Sequence, residues 1–186
     1  MQKFKSYSCV LIFIILGIHE TIGQTKESQN LNLSVGYGIS APYDETDIDG
    51  SGFFAQGEYI FDLKNWIDLR PYMGLFLTYE NSDNELYKTT SKALLIGGKG
   101  RITAPIPWVA PYLELGIGAS IGNFETITPL TNLSKNGVLM HIPFSLGLEL
   151  GPKHNFDLSF TYFYHPAVEQ FSGAIAFGIS IPIKKA

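Results

Sequence analysis

The chain is nearly without cysteine. Cys9 is the single example among 186 residues, and it stands in a segment expected to be lost on export. The mature protein is therefore expected to have no disulfide and no thiol nucleophile. Charge is also scarce. Asp, Glu, Lys and Arg make up 16% of the chain, against about a quarter in a soluble domain. No basic stripe breaks the mildly acidic balance of −4, so nucleic acid is not an expected partner. Long apolar runs are missing too. None reaches the roughly 18 residues of a membrane-crossing helix, so any crossing must be made by strands. No phosphate-cradling glycine loop, dinucleotide fingerprint or zinc-ligand spacing occurs, and no cofactor is expected. The acidic stretch Asp44, Glu45, Asp47 and Asp49 lacks the register and closing glutamate of a calcium loop, and is read as a solvated loop.

What is present begins with an export signal. Lys3 and Lys5 precede the apolar core Cys9–Ile18, and Thr21-Ile22-Gly23 ends on a small residue. That order is expected of a signal peptide cleaved before Gln24, leaving 24–186 as one domain. Cleavage would move the formal charge from −4 to −5.

From Leu31 to Ile183 the chain alternates between bulky apolar residues and small or polar ones. Leu31, Leu33, Val35, Tyr37 and Ile39 share one parity; Asn32, Ser34, Gly36, Gly38 and Ser40 share the other. Successive side chains of a strand point to opposite faces, so each such stretch is a strand with one apolar face. The spacing predicts eight strands: Asn30–Ser40, Gly52–Asp62, Asp68–Tyr79, Ser91–Thr103, Val109–Gly122, Val138–Leu150, Phe156–His165 and Phe171–Ile183. Most are long enough to cross the hydrocarbon layer when tilted. Short links at Leu63–Ile67, Ala104–Trp108 and Gly151–Asn155 alternate with longer polar ones at Ala41–Ser51, Glu80–Thr90 and Asn123–Gly137; Pro166–Gln170 is a short exception. The fold class expected is all-β, an eight-stranded antiparallel up-and-down barrel. Closure follows because an open sheet edge cannot sit in lipid.

A soluble ligand-carrying barrel also alternates, with its apolar face inward. The second face separates the two. It carries Gly116, Gly118, Ser120, Gly122, then Ser172, Ala174, Ala176, Gly178 and Ser180, residues suited to a crowded lumen rather than to a watered surface. The bulky face then meets lipid, and Tyr37, Phe53, Tyr59, Phe61, Tyr79, Trp108, Tyr164 and Phe171, near strand ends, suit interfacial girdles.

With stretches such as LSVGYGIS, APYLELGIGASIG and SGAIAFGISIPI, the span Asn30–Ile183 resembles the small outer-membrane β-barrels, the group of the transmembrane domain of outer membrane protein A and of outer membrane protein X. The resemblance implies a monomer in the outer membrane of a Gram-negative bacterium, with outer-membrane lipid and the barrel assembly machinery as partners. It implies a structural or surface-interaction role. One departure is the C-terminus, which reads Ile183-Lys184-Lys185-Ala186 where the group commonly ends on an aromatic residue.

Parity turns Glu58, Asp62, Asp68, Arg70, Lys99, Arg101, Glu114, Glu149, Asp157, His141 and His165 inward. Charges in a narrow barrel are costly unless paired. Glu58, Arg70, Lys99, Arg101, Glu114 and Glu149 are therefore expected to form a structural ion network that fills the lumen. A narrow porin-like path is the alternative, and eight strands leave no room for a wide one. A lipid A-modifying enzyme is the other alternative. It would draw on His165, Glu169 and Ser172, but the His-x-Ser spacing of lipid A deacylases is replaced by His165-Pro166-Ala167. The protein is expected not to be an enzyme, with no catalytic and no metal-binding residues.

Overall fold

The computed structural model describes residues 29–43, 49–80 and 88–183. The expected signal peptide, Asp44, Glu45, Asp47 and the last three residues lie outside them. The described chain forms eight strands: β1 Gln29–Pro42, β2 Gly50–Lys64, β3 Ile67–Glu80, β4 Lys88–Thr103, β5 Trp108–Ile127, β6 Asn132–Gly151, β7 Phe156–Tyr164 and β8 Gln170–Pro182. Each pairs antiparallel with the next, and β8 returns to β1 with Val35 opposite Phe177, so the sheet is a closed barrel.

The alternation sets the faces. On β5 the outward Leu113, Leu115 and Ile117 are exposed, while the inward Tyr112 and Glu114 are buried. The same holds on β1 for Leu33, Val35 and Tyr37 against Asn32. A continuous coat of exposed Leu, Ile, Val and Phe with buried polar residues behind it inverts a soluble protein. This is the face distribution of a transmembrane β-barrel.

The start of β1 and the end of β8 lie on one side of the barrel, the turn end, with Asn30 opposite Pro182. Short links sit there, such as 152–155, where Gly151 takes φ 94° and its carbonyl accepts from His154 N at 3.1 Å. That left-handed backbone suits glycine.

Two expectations are corrected. Residues 123–137 are not a loop. β5 and β6 run on as a hairpin to a turn at 128–131, each strand 20 residues long. The outward positions of the hairpin are polar there, Asn123 and Glu125 on β5 opposite Asn136 and Ser134 on β6, so the apolar alternation that marks a strand fades. The inward face is also not uniformly small. Phe54, Phe76, Phe124, Phe163 and Leu95 point in and form an apolar core toward the loop end. Glycine makes the room: a Cβ on Gly38 would sit 3.1 Å from the Phe76 ring.

Candidate functional site

The lumen is filled in three tiers. Nearest the turn end lies an ion network. Arg70 grips Asp68 with Nε and Nη2 at 2.6 and 3.1 Å, and reaches Glu58 and Glu149 at 3.3 Å each. Lys99 Nζ lies 2.5 Å from Glu58 and 2.8 Å from Glu114. Arg101 Nε donates to Glu114 at 2.7 Å, and its Nη1 donates to Glu149 at 2.8 Å and Asp157 at 2.7 Å. Five carboxylates thus share three cations. Neutral donors help: Tyr112 OH gives Asp157 a bond of 2.6 Å, and Gln56 Nε2 gives Glu58 one of 2.5 Å. The Arg101 guanidinium also lies 3.5 Å over the Tyr112 ring, a face that attracts cations.

Position relieves the remaining negative charge. Asp68 and Glu149 border a cavity of about 530 Å³ at the turn end, lined also by Asp62, Lys64, Lys153 and His154. There the anions have access to water. The deeper Glu58 and Glu114 each bind at least two cations. All six residues expected in the network, Glu58, Arg70, Lys99, Arg101, Glu114 and Glu149, are in it. Asp68 and Asp157 join them.

The middle tier is a hydrogen-bond chain drawn from four strands and one link. Tyr72 OH lies 2.5 Å from His141 Nε2; Ser120 Oγ lies 2.8 Å from His141 Nδ1 and 2.8 Å from His165 Nε2; His165 Nδ1 lies 3.1 Å from the Phe163 carbonyl. Rings of Phe163 and Phe124 pack against the imidazoles, with centroids 5.6 and 4.6 Å away.

The third tier, at the loop end, is hydroxyl and amide. Ser40 meets Thr78 at 2.9 Å, Thr126 donates to Gln170 at 2.8 Å, and the Gln170 amide reaches Ser91.

His165, Glu169 and Ser172 are not brought together. His165 turns to Ser120. Glu169 is exposed, and its backbone carbonyl accepts from Tyr43 N at 3.4 Å. The Ser172 hydroxyl accepts from the Gln170 amide, at 3.4 Å. His154 stands at the turn end, 3.8 Å from Glu149. Sequence reasoning did not single out Tyr72, Tyr112 or Gln170. Their signal was parity, since each is an inward polar residue on a strand that otherwise alternates.

No family model and no curated protein matches the sequence. Solved structures do. Neisserial surface protein A superposes with a TM-score of 0.61 at 12% identity, over 83% of this chain and 97% of that one. The outer membrane protein OprG from Pseudomonas aeruginosa gives 0.52 at 11%, over 84% and 98%. The outer membrane enzyme PagL gives 0.49 at 14%, over 82% and 99%. The chain has the fold of the small eight-stranded outer-membrane β-barrels.

Proposed function

We propose that this is an integral outer-membrane barrel of a Gram-negative bacterium whose lumen is plugged by its own side chains. Its role is structural or surface-interactive. The observation that carries the reading is the tier Arg70–Lys99–Arg101, whose ion pairs span from β2 to β7 and leave the cross-section occupied. The wall supports the membrane location, because the bulky apolar face is exposed all round. In this reading the chain is exported by its N-terminal segment and inserted by the assembly machinery. It stands as a monomer in lipid, with the turn end toward the periplasm. Interaction falls to the opposite end, where β5 and β6, each 20 residues long, run on into a hairpin that presents Leu130, 85% exposed, at its tip.

The experiment is fractionation combined with lipid analysis. The protein should sediment with outer membranes and shift on gels after heating. Lipid A from a deletion strain should keep its mass. Recovery from the soluble periplasm would contradict the membrane reading, and a changed lipid A mass would replace the structural role with the enzymatic one.

A further inference from the structure

The middle tier does nothing for the plug that carbon would not do. Two imidazoles sit in an apolar core, with ring centroids 5.6 Å apart. Their bonding fixes a direction. The Phe163 carbonyl can only accept, so His165 Nδ1 carries a proton and donates it. A neutral imidazole has one donor and one acceptor. His165 Nε2 is then an acceptor and takes the Ser120 hydroxyl proton. Ser120 Oγ in turn accepts from His141 Nδ1–H, which leaves His141 Nε2 to accept from Tyr72 OH. The chain runs one way, Tyr72 to His141 to Ser120 to His165 to Phe163, with both rings neutral and each Nε2 bare. A proton added at either Nε2 reverses that bond: the facing hydroxyl must turn to accept, and its own O–H loses the acceptor it had.

The surroundings offer such a proton no counter-charge. Against the rings stand Tyr72 from β3, Ser120 and Phe124 from β5, and Phe163 from β7, and each ring also faces the other. Beyond Tyr72 stands Lys99, a cation, 5.3 Å from the centroid of the Tyr72 ring; its carboxylates Glu58 and Glu114 are already bound to it. Among the described residues no carboxylate bonds either imidazole. A buried cation without a partner moves to water if a route exists. His165 has one. It is the first residue after β7, and the link beyond it exposes Pro166, Ala167 and Glu169. That link is held down by Val168, which is buried in the apolar core and donates its N–H to the His165 carbonyl at 3.2 Å.

We propose that the His141–Ser120–His165 chain is an acid-operated latch: protonation of the imidazoles breaks the one-way chain and releases the 165–169 link from the lumen. At neutral pH the latch is closed and the loop end is packed. In acid, His165 swings outward and Val168 follows, while the ion network below stays in place. The latch rests on the placement of that link at the outer, loop end. It does not require that the lumen be non-conducting.

The test uses the full mature chain refolded in detergent micelles, with ¹⁵N-labelled histidine and backbone. Ring nitrogen shifts at neutral pH should show protonated Nδ1 and bare Nε2 at both His141 and His165. On titration from about pH 8 to about pH 4, the His165 ring should begin to gain a second proton. Exchange at the Val168 amide, corrected for the intrinsic rate, should then rise about tenfold or more as the link opens. In His165→Gln, which cannot titrate, that rise should be lost. An Nε2–H tautomer at either ring in neutral solution would overturn the latch, as would Val168 exchange that ignores acid. A rise that persists unchanged in His165→Gln would do the same. Should that variant not refold, the two wild-type measurements still decide.

Discussion

Arg101 on β4 and Asp157 on β7 are 56 positions apart in sequence, yet Nη1 and Oδ2 meet at 2.7 Å inside the barrel. The pair ties two strands on distant parts of the wall and lies at the centre of a cluster that outnumbers its cations. Removing a cation should therefore hurt more than removing an anion. Arg101→Gln leaves five carboxylates around two cations and should lower unfolding stability by about 3–5 kcal/mol. Glu114→Gln leaves four carboxylates around three cations and should cost less. Urea unfolding of both variants in micelles gives the order, and a costlier Glu114→Gln would mean that charge balance does not govern the tier.

The outward face makes a separate expectation. Leu146 is 46% exposed on β6, while Glu114 is 2% exposed on the neighbouring β5. Leu146→Arg near the bilayer midplane should destabilise by about 2–4 kcal/mol. A lipid-soluble relaxation agent should reach a spin label at 146 and not one at 114. The reverse accessibility would turn the barrel inside out.

Glycine positions inside the wall are expected to separate sharply. A Cβ on Gly118 would lie 2.5 Å from both His141 Nε2 and the Tyr72 oxygen, whereas one on Gly98 would meet nothing within 4 Å. Gly118→Ala should cost about 1–3 kcal/mol by wedging the middle tier apart. Gly98→Ala should stay within about 0.5 kcal/mol. Thermal gel-shift midpoints read the difference, and equal midpoints would show that the tier yields without strain.

How far the molecule was legible follows from what parity can carry. A period of two sorts every residue to a face, so the eight strands, the outward coat and the inward Arg70, Lys99, Arg101, Glu58, Glu114 and Glu149 could be read directly. Parity says nothing of height above the membrane or of partners across the lumen. His165 and Ser172 share a face and a hairpin in sequence, yet His165 bonds Ser120 on β5. Nor does parity mark a strand where its outward face is polar, as at Asn123, Glu125, Ser134 and Asn136, which is why the outer halves of β5 and β6 read as loop. The inward rings of Phe54 and Phe76 were masked by equally bulky outward neighbours, Phe53 and Leu75.

Conductance of the purified barrel in planar bilayers measures the plug itself. With Arg101, Lys99 and Arg70 locked to carboxylates on several strands, the wild type should show little current, or only small and infrequent openings, and Glu114→Gln should lose stability without gaining a large pore. A stable, high-conductance channel from the wild type would contradict the plugged lumen and put a porin in its place.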